Sequence, residues 1–298
     1  MSAAAPPPAR TGGRRLAVVG GATSGLGRAC ARALLADGID VLLWSRDPDR
    51  LASTAADLAA GPAAGPGAGP APGSPRGSVS SAPGRAATGV PGRVVGTVAA
   101  DAADPGAAAV VARAAAGFGT VDTVVLNAGG PPPVDAAATD PDQWRRSFQL
   151  LALTPIELAT RLLPGMRAAG FGRVVAVLSS GVREPLPRLA YSNACRSALS
   201  AWMKTVAREV AADGVTVNAV LPGRIDTPRV TALDRAAADR EGRDVSEVAA
   251  ASRAAIPAGR YGRPEEFAAV VAFLATPAAG YVTGVGIPCD GGMGRSLP

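Results

Sequence analysis

The sequence contains no histidine, and Lys204 is the only lysine among its 30 basic residues. Without histidine, the chain cannot form a Ser-His-Asp triad, an HExxH zinc site or an imidazole general base. Any acid-base chemistry must therefore come from tyrosine, serine, lysine, arginine, cysteine, acidic side chains or a bound cofactor.

Cysteine is also scarce, since Cys30, Cys195 and Cys289 are the only three and lie far apart. This spacing argues against a disulfide framework and against a CxxC metal knuckle, so we predict no metal site. No apolar run approaches the roughly 18 residues of a membrane span. The first residues lack the apolar segment of a signal peptide. We therefore expect a cytoplasmic protein with no membrane partner.

Aromatic residues make up only 4% of the chain, although its net charge is +6. A nucleic-acid-binding protein would cluster its basic residues together with aromatic ones. The arginines here are dispersed along the sequence instead, which predicts no nucleic-acid partner. The positive charge favours a small molecule as partner, including an anionic one.

Short β-branched runs alternate with alanine-rich stretches of helical pattern through most of the chain. This alternation predicts βαβ units and a parallel sheet covered by helices on both faces. The predicted fold class is α/β, a doubly wound Rossmann fold in a single domain with a seven-stranded parallel sheet. The predicted strands are 15–20, 40–44, 93–100, 121–126, 172–178, 215–221 and 281–288.

One stretch interrupts this alternation, because residues 61–92 contain 16 glycines or prolines among 32 positions. Such a segment has little to bury and cannot offset its own ordering entropy, so we predict a disordered loop. It falls between a helix predicted at 48–60 and the third strand, and so leaves the domain undivided. We likewise expect residues 1–13 to be a disordered tail before the domain at 14–298.

The segment GGATSGLGRAC, residues 20–30, follows the first predicted strand directly and opens a helix. Its glycines would form a tight turn (Gly21), let the backbone approach a diphosphate (Gly25) and allow close helix-strand packing (Gly27). The other residues of the turn predicted to contact a dinucleotide are Thr23, Ser24 and Leu26.

The second predicted strand ends in WSRD, where an NAD-binding protein usually places an acid for the ribose 2′-hydroxyl. Ser45 takes the place of that acid, and Arg46 follows it. A guanidinium suits a 2′-phosphate, so the sequence favours NADP(H) over NAD(H). Asp47 directly follows Arg46, and this acidic residue leaves NAD(H) as the alternative cofactor.

Three further motifs follow predicted strands: LNAG at 126–129, LSS at 178–180 and LPGRIDTP at 221–228. Together with the glycine turn they resemble the short-chain dehydrogenase/reductase superfamily, over about 16–294 apart from the insertion. The resemblance implies a homodimer or homotetramer paired through helices within 140–169 and 191–212, and a substrate lid over about 227–257. It also implies further cofactor contacts, namely Asp101 at the adenine amine, Asn127, Ala128 and Gly129 beside the cofactor, Thr227 at the nicotinamide amide, and a contact of Ala102.

The catalytic residues of that family are asparagine, serine, tyrosine and lysine, and this chain departs from three of them. A gap-free count places Arg196 at the lysine position, Ser192 at the tyrosine position and Leu151 at the asparagine position. Arg196 can still grip a ribose hydroxyl, whereas Ser192 is a poor proton donor at neutral pH. The retained serine is either Ser179 or Ser180.

Tyr191 lies one residue before the tyrosine position. Its hydroxyl either reaches the reacting group as a displaced acid, or the side chain packs elsewhere. In the loop before Tyr191, SGVREPLPR at 180–188, Glu184 is a possible alternative acid and Arg183 a possible substrate clamp. The sequence thus predicts an NADP(H)-dependent oxidoreductase acting on a carbonyl or alcohol of a small organic molecule, in specialised metabolism. The alternative is non-redox chemistry (cyclisation, dehydration or isomerisation) or non-catalytic binding on the same fold.

Overall fold

The computed structural model describes residues 13–61, 90–138 and 140–296. The predictions of a disordered tail at 1–13 and a disordered insertion at 61–92 lie almost entirely outside these residues. Seven parallel strands form one sheet in the order β3-β2-β1-β4-β5-β6-β7. They are β1 Leu16–Gly20, β2 Asp40–Ser45, β3 Val94–Ala99, β4 Thr123–Leu126, β5 Gly172–Val177, β6 Val215–Pro222 and β7 Gly286–Cys289.

The described residues form nine α-helices, and a π-helical turn, Gln149–Leu153, joins two of them. The helices are α1 Gly25–Ala36, α2 Pro48–Ala59, α3 Ala107–Ala116, α4 Pro141–Phe148, α5 Thr154–Ala168, α6 Ala190–Val210, α7 Pro228–Glu241, α8 Val245–Ala254 and α9 Pro264–Ala275.

The sheet is buried on both faces because successive side chains of a strand point to opposite sides. In β1, Leu16 and Val18 join the core beneath α3, α5 and α6, whereas Ala17 and Val19 join the core beneath α1, α2 and α9. All five residues of β1 are buried. This two-sided burial confirms the predicted doubly wound α/β fold with a seven-stranded parallel sheet.

The last strand is shorter than the predicted run of 281–288. Just before β7, side chains make part of the contact with β6: Val217 N donates to Thr283 Oγ1, and Asn218 Nδ2 donates to Val282 O. Gly284 then turns the chain with φ +71°, and its carbonyl accepts a hydrogen bond of 2.9 Å from Lys204 Nζ. Regular pairing with β6 therefore begins only after this turn.

The proposed lid, residues 227–257, consists of α7 and α8. Within the ranges that the structure describes, no helix is both long and apolar enough to span a membrane. The predicted pairing of subunits through α4, α5 and α6 stays a prediction.

Candidate active site

The candidate active site lies at the carboxyl edge of the sheet. Because all seven strands are parallel, the segments that follow them meet at this one edge. The motifs identified in the sequence are thereby brought together from six different strands. They are the glycine turn after β1, Ser45 in β2, Asp101 after β3, Asn127 after β4, Ser179 after β5 and Thr227 after β6.

The glycine turn has the shape that a bound diphosphate requires. Gly21 and Gly25 have φ of +58° and +50°, a backbone region that disfavours other residues. A Cβ on Gly27 would lie 2.2 Å from the carbonyl oxygen of Gly21, so only glycine fits there. Asn127 Nδ2 donates to Gly20 O over 3.1 Å and fixes β4 against the turn.

The amino end of α1 completes this cradle. Ser24 is the N-cap residue of α1, but its side chain makes no capping hydrogen bond. Free amides and the helix dipole at such an end attract phosphate groups. On the opposite side, Thr227 Cγ2 would lie 3.3 Å from a Cβ on Gly25, so the start of the lid borders the turn. These residues fit a dinucleotide diphosphate.

The end of β2 carries a polar cluster without an acid facing it. Thr23 Oγ1 and Ser45 Oγ lie 3.3 Å apart, and Arg46 is exposed, with no hydrogen-bond or ion-pair partner in the described ranges. Asp47 caps α2, where its carboxylate accepts from the amide of Arg50 over 3.0 Å. Asp47 is therefore engaged by the helix, which favours the interpretation that this cluster holds a 2′-phosphate.

The predicted adenine site is already hydrogen-bonded within the protein. Asp101 accepts from the amide of Ala103 and forms an ion pair of 3.1 Å with Arg146 of α4. The carbonyl of Ala102 accepts from Thr154 Oγ1 over 2.8 Å. The proposed adenine contact of Asp101 and the cofactor contact of Ala102 stay predictions, and Arg146 is a neighbour that sequence reasoning did not identify.

Tyr191 packs away from the family's tyrosine position. Its side chain is buried, and its hydroxyl accepts a hydrogen bond of 3.1 Å from the amide of Asp140. Its ring packs edge-on against Trp144 of α4, with centroids 4.6 Å apart. This geometry favours the packing alternative over the displaced acid.

Ser192 and Arg196 lie one turn apart on α6, on the same face of the helix. Arg196 is only 9% exposed, and its Nη1 donates to the carbonyl of Val177 at the end of β5 over 2.5 Å. Burial, together with the positive charge of Arg229, lowers the pKa of Arg196 to about 10. Arg196 is still a cation at neutral pH.

The two candidate serines after β5 differ in their partners. Ser179 Oγ accepts a hydrogen bond of 3.1 Å from the amide of Gly181. Neither Ser180 Oγ nor Ser192 Oγ makes a hydrogen bond to any residue that the structure describes. A serine hydroxyl that accepts one hydrogen bond can still donate its own proton, so the choice between Ser179 and Ser180 stays open.

Leu151 lies within the π-helical turn between α4 and α5 and is 2% exposed. This turn packs against α6 near the candidate site. π-Helical turns are rare and are frequently found at functional sites. The predicted loss of the asparagine side chain is thus accompanied by an irregular backbone that the sequence pattern did not indicate.

The charged residues after β5 are held by the protein backbone. Glu184 accepts from the amides of Arg295 and Ser296, and these hydrogen bonds lower the pKa of its carboxyl. An ionised carboxylate does not suit the role of alternative acid. Arg183 donates to the carbonyl of Gly286 over 2.7 Å, so it ties the loop to β7 instead of standing free as a clamp.

The lid is anchored at two points. At its base, Asp234 of α7 is 4% exposed and accepts from Arg224 Nη1 over 2.7 Å and from the hydroxyl of Tyr261 over 2.8 Å. At its start, Arg229 Nη2 donates to Pro131 O over 2.8 Å, across to the loop after β4. Sequence reasoning missed these contacts because each joins segments that no local pattern connects.

The strand order and the glycine turn define a Rossmann-type dinucleotide-binding fold. A family model described as enoyl-(acyl carrier protein) reductase matches residues 81–294, and one described as short chain dehydrogenase matches residues 15–65. The chain belongs to the short-chain dehydrogenase/reductase superfamily.

Several relatives are oxidoreductases by name. The chain is 32% identical to the short-chain reductase protein NovJ of Streptomyces niveus, over 93% of both chains. It is 38% identical to cis-4-hydroxycyclohexanecarboxylate dehydrogenase of Sinomonas cyclohexanicum, over 62% of this chain and 70% of that one.

Solved structures with similar folds include two reductases with bound NADPH. Actinorhodin polyketide ketoreductase with NADPH is 26% identical with a TM-score of 0.80, covering 95% of this chain and 98% of that one. L-Sorbose reductase from Gluconobacter frateurii with NADPH and L-sorbose is 28% identical with a TM-score of 0.79, over the same shares of the two chains.

Proposed function

We propose that this chain is an NADP(H)-dependent oxidoreductase acting on the carbonyl or alcohol group of a small organic molecule. The observation that carries the proposal is the acid-free cluster of Thr23, Ser45 and Arg46 beside the glycine turn. Two hydroxyls and a guanidinium suit a 2′-phosphate, whereas the ribose of NAD(H) is usually met by a carboxylate. The NADPH-bound reductases of similar fold support the same choice.

A bound nicotinamide would supply or accept the hydride, and the protein must hold the reacting oxygen and stabilise charge on it. Ser192, together with Ser179 or Ser180, would provide hydroxyls for that oxygen. Arg196 adds a buried cation on the same face of α6 as Ser192. Its guanidinium would also take over the ribose contact of the family's lysine.

Neither residue suits proton donation at the tyrosine position, because Ser192 carries an alkyl hydroxyl and Tyr191 is turned toward Asp140. The arrangement therefore favours substrates that need little help from a protein acid, such as activated ketones and quinones.

The same observation supports a second candidate function from a different class. A site that binds the nucleotide but lacks a proton donor could carry out a cyclisation, dehydration or isomerisation, or bind a ligand without turning it over. The retained nucleotide cradle and the altered catalytic positions are compatible with both candidates.

Titration of the protein with NADPH and NADH, followed by reduced-nicotinamide absorbance with a panel of ketones and quinones, tests the two candidates. We expect tighter binding of NADPH than NADH and turnover of at least one activated carbonyl compound. Absence of binding for both nucleotides would overturn the oxidoreductase proposal. Tight binding with no turnover would support the second candidate.

A further inference from the structure

Arg196 is a buried cation without an acidic partner. Its Nη1 is bound to Val177 O, and no carboxylate lies within ion-pair distance of it in the described parts of the chain. A buried charge that lacks a counter-charge is costly, and it is usually found paired or bound to a ligand. The guanidinium has more donors than Val177 O can satisfy, and these remain for a ligand.

Arg229 is another cation without an acidic partner at this edge of the sheet. It lies in the first turn of α7, is exposed, and reaches across to Pro131 O. Its guanidinium also borders Gly130, since a Cβ there would lie 3.0 Å from Nη2. Its side chain runs from the segment after β6 to the loop after β4, and β5, at whose end Arg196 lies, is the strand between these two, so both guanidiniums lie above the same part of the sheet edge.

Two other arginines around the same edge have carboxylate partners. Arg224 is paired with Asp234, and Arg146 with Asp101. The lid and the loops thus neutralise those two arginines and leave Arg196 and Arg229 without acids in the parts that the structure describes. Two guanidiniums near each other repel, and a shared anion would remove that repulsion.

We propose that Arg196 and Arg229 together bind one anionic group, a carboxylate or a phosphate, beside the reacting carbonyl. This inference rests on the proposed oxidoreductase function and adds to it a class of substrate, a carbonyl compound that carries an acid. The anion has two possible sources, the substrate or the cofactor diphosphate. The glycine turn and the start of α1 already offer backbone amides to a diphosphate, which leaves the arginine pair for the substrate.

The experiment compares acetoacetate with methyl acetoacetate, which has the same ketone but no charge. Binding and turnover of both are measured with NADPH for the parent protein and for Arg229→Gln, Arg229→Lys and Arg196→Gln. Arg240→Gln is the matched control, because Arg240 is an exposed arginine near the other end of α7. Circular dichroism and thermal unfolding establish that each variant is folded.

If the anion belongs to the substrate, Arg229→Gln lowers kcat/KM for acetoacetate about tenfold, as expected for one lost charge-assisted contact. The kcat/KM for the ester stays the same. Arg229→Lys restores part of the preference for the acid. If the anion is the cofactor diphosphate, Arg229→Gln instead weakens the binding of NADPH but not that of reduced nicotinamide riboside, which has no phosphate. In that case the ratio between acid and ester stays the same.

Unchanged kcat/KM for acid and ester, and unchanged binding of NADPH and of reduced nicotinamide riboside, in folded Arg229→Gln would overturn the proposal. Failure of the oxidoreductase function is distinguishable from this result. If the parent protein binds no NADPH, calorimetric binding of acetoacetate to the nucleotide-free protein still shows whether Arg229 and Arg196 hold an anion. Arg240→Gln must match the parent protein in every measurement.

Discussion

The hydroxyl of Tyr191 accepts a hydrogen bond from the backbone amide of Asp140, and the ring packs against Trp144. Asp140 is the N-cap residue of α4, so this contact joins the first turn of α6 to the start of α4. The phenol that lies one residue from the catalytic position therefore has a partner in the fold.

We expect Tyr191→Phe to lower the free energy of unfolding by about 1 kcal/mol, because one buried hydrogen bond is lost. Turnover with NADPH should stay at the parent level. Urea unfolding and initial rates measure the two quantities. A variant of parental stability whose kcat has collapsed would instead identify Tyr191 as the proton donor.

Arg46→Gln should raise the dissociation constant of NADPH about tenfold, since one guanidinium contact to the 2′-phosphate is lost, while NADH binding stays the same. Fluorescence titration of both nucleotides measures this difference. Arg50→Gln is the control, because Arg50 is an exposed arginine nearby on α2. Equal loss of NADPH and NADH affinity would assign Arg46 a role other than binding the 2′-phosphate.

Gly27→Ala should abolish nucleotide binding and destabilise the fold by about 1–3 kcal/mol through overpacking. The added methyl group would meet the backbone oxygen of Gly21 and also Asn127 Nδ2, at 2.8 Å. Calorimetry and chemical unfolding measure the two effects. Gly117→Ala, at a helix end with an ordinary φ of −66°, should bind nucleotide normally. A Gly27→Ala protein with parental NADPH affinity would contradict the close contact between α1 and the turn.

Acid stability should depend on Glu266 at the start of α9. Hydrogen bonds from the Arg260 side chain and the Arg263 amide lower the pKa of Glu266 from 4.5 to about 2. Because the folded value is depressed, its stabilisation is complete above pH 4.5 and is lost as the pH falls toward 2.

The difference in unfolding free energy between the parent and Glu266→Gln should therefore be largest at neutral pH and shrink below the unfolded pKa. Chemical unfolding at a series of pH values measures it. Glu265→Gln is the matched control, since Glu265 is exposed in the same helical turn. A difference between parent and Glu266→Gln that does not change with pH would contradict the assignment.

Asp234→Asn should loosen the lid, because it removes the buried negative charge of Asp234 that pairs with Arg224. The loss of stability should be smaller than the roughly 3–5 kcal/mol of a fully buried broken pair, since Arg224 is partly exposed. We expect a raised KM for the carbonyl substrate, measured by steady-state kinetics. Asp239→Asn, at an exposed site on α7, should leave KM unchanged.

The sheet could be predicted because its strands are buried on both faces and therefore appear as β-branched runs, as in β1 and β6. The glycine turn could also be predicted, since Gly21 and Gly25 adopt positive φ that few other residues tolerate. In both cases the physical requirement acts on residues close together in the sequence.

The catalytic positions were less predictable because their surroundings come from distant segments. The partner of Tyr191 is 51 residues away, and that of Arg229 is 98 residues away. The π-helical turn around Leu151 leaves no signal either, because one extra residue in a turn barely disturbs a run of leucine and alanine. The pairing of Asp234 with Arg224 requires a charge to be buried, which a polar helical pattern does not indicate.

Lys204 makes this protein suited to single-site chemical labelling. It is the only lysine, it is exposed on α6, and its amine lies at the carbonyl of Gly284. An amine-reactive dye would therefore mark this one side chain, besides the α-amino group. Since Lys204 lies about 12 Å along α6 from Arg196, such a dye could report nucleotide arrival by energy transfer from the reduced nicotinamide.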